Sequence, residues 1–114
     1  MADNTISFDS FTPGLIKTSL ARDAVKSALS AIEGGWDLDV TEGTPCLGAT
    51  FSFTDFNACM VFADRVAHLA DTYDHHPELV IRYGTVTVKW WTHTAKGVAA
   101  NDVFMATRTT ELST

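Results

Sequence analysis

The stretch Asp-Phe-Asn-Ala-Cys-Met-Val-Phe-Ala-Asp-Arg-Val-Ala-His-Leu-Ala-Asp-Thr-Tyr, residues 55–73, organises this chain. Phe56, Cys59, Met60, Ala63, Val66, Ala67, Ala70 and Tyr73 recur at i, i+3, i+4 and i+7. That spacing lines one stripe of an amphipathic helix. Thr54 just before it suits an N-cap. Phe62 and Leu69 fall off the stripe, one heptad apart. They suit a subunit contact or partial burial beside strands, and periodicity does not choose between these. His68 shares the polar side with Asp64 and Asp71 and reads as solvated surface. Pro77 marks the loop beyond, because a proline disfavours helical geometry in the residue before it.

Upstream, Leu47, Ala49, Phe51 and Phe53 alternate with Gly48, Thr50 and Ser52, the period of a strand. Trp36, Leu38 and Val40 alternate with Asp37, Asp39 and Thr41 and predict another. Glu42-Gly43-Thr44-Pro45 between them reads as a turn, so the two form an antiparallel hairpin. Before that, Ala21, Ala24, Val25, Ala28 and Ile32 predict a helix over 19–33, with Ser19 as its cap and Gly34-Gly35 as its stop. Residues 1–17 read as an arm, extended or frayed, ahead of one domain over 18–114.

Downstream, Leu79 to Thr92 is rich in β-branched and aromatic residues. Ile81 and Tyr83 share one parity, and Val86, Val88 and Trp90 another. The reading is two strands parted near Gly84, or one strand bulged there. Lys96-Gly97 reads as a turn. A last helix is expected over 100–112, weakened by Thr107, Thr109 and Thr110. The order α-β-β-α-β-β-α, with short strand connections, predicts an α+β fold: a four-stranded antiparallel sheet with helices packed on one face.

The chain has 114 residues, enough for one core and too few for two. Its 46% hydrophobic content excludes disorder as an overall description. Fourteen acidic against eight basic side chains give a formal charge of −6, and the cations are scattered. Nucleic acid is therefore not expected as a ligand. No apolar run is long enough to span a membrane, and Met1-Ala2-Asp3-Asn4-Thr5 has no signal-peptide character. Cys46 and Cys59 read as free thiols of a reducing compartment, so a cytoplasmic location is expected.

Chemistry gathers at the element ends. His75 and His76 follow the long helix, His93 ends the last strand, and Asp102 begins the last helix. Asp71 stands one helical turn before His75, close enough to orient it. Imidazole titrates near neutral pH and can both give and take a proton, and a carboxylate beside it fixes its tautomer. Such a set suits a reaction in which one group leaves as water while a proton is taken elsewhere. A histidine pair at a helix end also serves as a cap, and pattern alone leaves both uses open. Metal binding is the weaker rival: adjacent histidines point apart and no zinc spacing appears. A Ser or Cys nucleophile has no support, and the glycines form no phosphate loop.

Asp71-x-x-x-His75-His76-Pro77, followed after gaps of five, nine and eight residues by Tyr83, His93 and Asp102, resembles the signature of the pterin-4a-carbinolamine dehydratases. Thr92-His93 and Gly97 fall in place. Phe51-Ser-Phe-Thr-Asp-Phe-Asn57, Arg65-Val-Ala67 and Gly35-Trp36 also look like that family, and the similarity runs over about 19–106. The resemblance implies the fold already read and a lyase that dehydrates 4a-hydroxytetrahydropterin to quinonoid dihydropterin. It implies His75, His76, His93 and Asp102 as the catalytic set. Asp71, Pro77, Thr92 and Trp91 are expected at the substrate. No metal and no cofactor are implied, since the pterin is the substrate. An aromatic amino-acid hydroxylase is the implied functional partner, and a homodimer or homotetramer the implied assembly. A binding or assembly role on the same fold is the alternative.

Three departures stand out. Asp71 replaces the usual Glu and reaches one methylene less. Ala99 replaces a Ser or Thr cap, a loss of about 1 kcal/mol, for which Asn101 is a possible substitute. Trp90-Trp91 is heavier than the small or aliphatic residues usual there: packing is the favoured reading of Trp90, and Trp91 is either a stacking wall or packing.

Overall fold

The computed structural model describes residues 20–32 and 35–113. The arm expected over 1–17, the cap at Ser19 and the stop at Gly34 lie outside them. The elements are α1 (Arg22–Leu29), β1 (Asp37–Thr41), β2 (Thr44–Ser52), α2 (Phe56–Tyr73), β3 (Glu78–Arg82), β4 (Thr85–Trp90) and α3 (Ala100–Leu112), with a 3₁₀ turn at His93–Ala95. The four strands form one antiparallel sheet in the order β1-β2-β4-β3. The helices cover the face that carries Leu47, Ala49, Phe51, Val86, Val88 and Trp90. Among the described residues no helix is long and apolar enough to cross a membrane.

Both hairpins are tighter than the sequence pattern suggests. Glu42 and Gly43 alone make the first turn, with φ of 49° and 81°. Paired positive φ values match the twist of the flanking strands, so Thr44 and Pro45 belong to β2 instead of the turn. The second turn lies at Tyr83-Gly84, where Gly84 takes φ 85°, and it resolves the open reading in favour of two strands.

Helix α1 is shorter than predicted. Leu20 stays extended because its amide donates to the Val98 carbonyl (2.7 Å), so the helix starts at Arg22 with Ala21 as its N-cap. It ends at Leu29, and Ile32 packs on the core from the turn beyond.

Helix α2 is capped by Asp55, not Thr54: the Asp55 carboxylate accepts the Ala58 amide at 2.7 Å. Its buried stripe is rotated from the expected one. Cys59, Phe62, Ala63, Val66 and Ala70 are buried, whereas Phe56 and Met60 stay exposed. The cause is aromatic. Phe62 meets the rings of Phe51 and Phe53 at 5.0 and 5.1 Å, and this packing sets the roll of the helix. Phe62 and Leu69 are thus core contacts. On β1, Val40 is 56% exposed although its parity points inward. It borders an open hollow between the hairpin and the start of α1, where Arg22 and Val25 form the facing wall.

Two measurements check this packing. Phe62→Ala should lower the unfolding free energy by about 3–5 kcal/mol, and Phe56→Ala by under about 1 kcal/mol. Similar losses in chemical denaturation would contradict the rotated stripe. Burial pushes the Cys46 thiol up to about 11, with the Asp39 carboxylate adding to the shift. The folded protein holds this proton more tightly than the unfolded chain. Its contribution is therefore complete below about pH 9 and lost as pH rises toward 11. Cys46→Ala should lose less thermal stability than the unmodified protein between those two pH values.

Candidate active site

The site begins where α2 ends. Asp74 adopts the left-handed conformation (φ 48°, ψ 45°), and the His75 amide turns back to the Ala70 carbonyl at 3.1 Å. This closure breaks the 3.6-residue period before His75. The two histidines consequently leave the helix in different directions. His76 Nε2 reaches Asp71 Oδ1 at 2.9 Å, with both side chains more than half exposed. His75 instead turns inward to Asp102 Oδ1 at 2.7 Å. The expected pairing of Asp71 with His75 is thereby corrected: one-turn spacing holds only inside a helix, and His75 is outside it.

Asp102 is fully buried, a costly place for a carboxylate unless its oxygens are saturated. They are. The Thr92 hydroxyl donates to Oδ2 at 2.8 Å, the Ala99 amide donates to the same oxygen at 2.9 Å, and His75 occupies Oδ1. Asp102 is the third residue of α3, so its bond to Ala99 is half of a capping box. Ala99 is the N-cap and has no side chain to give the other half. Asn101 is not a substitute cap, because it lies inside the helix and donates to Thr92 Oγ1 at 3.5 Å.

His93 does not end a strand. β4 stops at Trp90, and Thr92 and Gly97 exchange backbone hydrogen bonds (2.8 and 3.4 Å) that pinch off a short loop. His93 opens the 3₁₀ turn inside that loop and meets the Trp91 ring edge-on at 5.3 Å.

These segments enclose an open cavity of about 350 Å³, within the range of small-molecule sites, roughly 300–1,000 Å³. His75, His76 and His93 line it together with Trp91 and Thr92. Asp102 sits behind this wall and touches the cavity only through His75 and Thr92. Asp71 and Pro77 do not line it: Asp71 bears on it through His76, and Pro77 belongs to the chain leaving it. Asp74, Thr94 and Asn101 line it as well; the sequence pattern places none of them at the cavity and offers Asn101 only as a cap. The place of Asn101 depends on how α3 meets the loop. His68 stays on the surface, 3.4 Å from Asp64.

Chemically, a buried carboxylate accepting from Nε2 makes that nitrogen the protonated one in neutral His75. The other ring nitrogen is then free to act as an acceptor. His76 and His93 stand in water and can exchange protons with it. No group of three or more His, Cys, Asp or Glu among the described residues is placed to hold a metal ion. Asp102→Asn removes the carboxylate charge and either turns an amide NH₂ toward the Thr92 and Ala99 donors or forces His75 into its other tautomer. The expected cost is about 1–3 kcal/mol in chemical denaturation, and an unchanged midpoint would contradict this hydrogen-bond pattern.

The family model for pterin 4 alpha carbinolamine dehydratase matches residues 18–112. The candidate pterin-4-alpha-carbinolamine dehydratase of Chlorobaculum tepidum is 41% identical over 93 residues, 82% of this chain and 83% of that protein. One from Chlorobium limicola is 47% identical over 74 residues, 65% of this chain and 66% of that protein. Among solved structures, a transcriptional coactivator/pterin dehydratase from Brucella melitensis superposes with TM-score 0.76 at 30% identity, covering 85% of this chain and all of that one. A pterin dehydratase-like RuBisCO assembly factor of the alpha-carboxysome shares the fold, with TM-score 0.59 and 20% identity over 71% of this chain and 92% of its own. With a family model spanning nearly all of the described chain, and with the histidines and buried aspartate gathered at one cavity, this protein belongs to the pterin 4 alpha carbinolamine dehydratase family.

Proposed function

We propose that this protein is a lyase that dehydrates 4a-hydroxytetrahydropterin to quinonoid dihydropterin and water. The observation that carries this reading is the Asp102–His75 pair beside His93 and His76 at one small cavity. The reaction asks for two proton movements. The C4a–O bond breaks when a proton reaches the departing hydroxyl, giving water. The N5–H proton goes to a base, and its electron pair forms the N5=C4a double bond.

His75 and His93 carry these transfers as the acid–base groups, and His76, steadied by Asp71, holds the pterin. Trp91 offers a flat wall for the bicycle. The reading draws on no cofactor, because the pterin enters as substrate. An aromatic amino-acid hydroxylase in the cytoplasm supplies the 4a-hydroxy compound, and the product returns to the tetrahydropterin cycle. The chain acts as a homodimer or homotetramer. Support comes from the sheet edge at β3 and the exposed Val80, Tyr83, Phe56, Met60 and Val61.

A non-catalytic binding role on the same fold is the second reading, favoured by the names of the two structural neighbours. One assay separates the two. Added to a working aromatic hydroxylase, the protein should speed the disappearance of the 4a-hydroxy intermediate, and no acceleration would sink the enzyme reading. His75→Ala and His93→Ala should each lower the rate by about 100-fold or more, in the range of lost acid–base catalysis. Abolition by His76→Ala alone would overturn the division of roles.

A further inference from the structure

We propose that Trp90, backed by Thr109, is a positioning residue: its indole fixes the plane of the His75 imidazole and hence the direction in which that ring moves its proton. This rests on the dehydratase reading. The His75 and Trp90 rings lie nearly parallel, with 10° between their planes and 5.7 Å between their centroids. This is an offset stack. The hydrogen bond to Asp102 fixes where Nε2 lies, but a single bond leaves the ring free to rock about the N···O line. A flat surface against the ring face removes that freedom. The bond and the stack together define the orientation of the free nitrogen.

The indole is itself held. Trp90 and Thr109 are both fully buried. The Thr109 hydroxyl donates to the Met105 carbonyl at 2.6 Å, which leaves its oxygen to accept Trp90 Nε1–H at 3.1 Å. A buried indole needs such a partner. Thr109 stands seven residues after Asp102 on α3, so both lie on the same helix face, about 10 Å apart along its axis. One helix thus sets the imidazole twice, in position through Asp102 and in plane through Thr109 and Trp90. A small or aliphatic residue at position 90 would give the ring no flat surface.

The test combines proton NMR of the histidine rings with steady-state kinetics on Trp90→Leu, Thr109→Val and Thr109→Ser, with melting curves in parallel. In the unmodified protein, the carbon-bound ring protons of His75 should resonate upfield, shifted by the indole and identified by their loss in His75→Gln. Trp90→Leu should remove the shift and lower kcat by about 10-fold or more, as misplacement of a catalytic group does, with KM nearly constant. Thr109→Val should lower kcat several-fold and broaden or reduce the shift, and Thr109→Ser, which keeps the hydroxyl, should recover most of both.

A folded Trp90→Leu protein with normal kcat overturns the proposal. So do equal losses in Thr109→Val and Thr109→Ser. If Trp90→Leu does not fold, the Thr109 pair decides. Absence of dehydratase activity in the unmodified protein overturns the function and not the stack. An unshifted His75 there overturns the stack as well.

Discussion

Asp102 keeps a carboxylate fully buried, and three segments of chain converge to saturate it. The Ala99 amide comes from the start of α3, the Thr92 hydroxyl from the exit of β4, and His75 from the exit of α2. Losing any one donor leaves a buried charge short of a partner, which is far more costly than the bond itself is stabilising. The carboxylate therefore ties the three element ends to one another. The cavity lies where they meet, and its shape follows from that tie.

The three cavity histidines share a side chain but not a setting. His75 is nearly buried, bonded to a buried anion and stacked on an indole. His76 is more than half exposed, and its partner Asp71 is more exposed still. His93 stands in an exposed turn with one aromatic edge beside it. An imidazole held by a carboxylate and an indole has a fixed direction, whereas an exposed one keeps more freedom to turn. The proposed division of roles follows these settings in part: His75 is the group built to be aimed.

Helix α3 shows the same economy. Thr107, Thr109 and Thr110 weaken it as an isolated helix. In the fold, the Thr109 and Thr110 hydroxyls accept the indole N–H groups of Trp90 and Trp36, the latter at 2.8 Å. Most of the helix is buried, so packing offsets the poor propensity. Thr109 and Thr110 are thus acceptors for two core tryptophans, and an apolar helix former in their place would leave those donors unmet.

Element order, the first hairpin, the three-histidine set and the family resemblance are legible in the chain before it folds, whereas the break at Gly84 reads equally as a turn or a bulge until the strands pair. The legible features rest on local periodicity, turn residues and fixed gaps, all of which a linear chain displays. Other features arise only from packing. The roll of α2 depends on Phe51 and Phe53 drawing in Phe62, a residue that periodicity places off the apolar stripe. The carboxylate for His75 depends on the helix ending at Asp74, after which sequence spacing no longer measures distance. Trp90 is legible as a core residue but not as a surface for His75, nor Asn101 as a wall of the cavity. Partners such as Asp102 and His75 lie 27 residues apart. Contacts of that kind are set by how the helices close over the sheet, which no local pattern encodes.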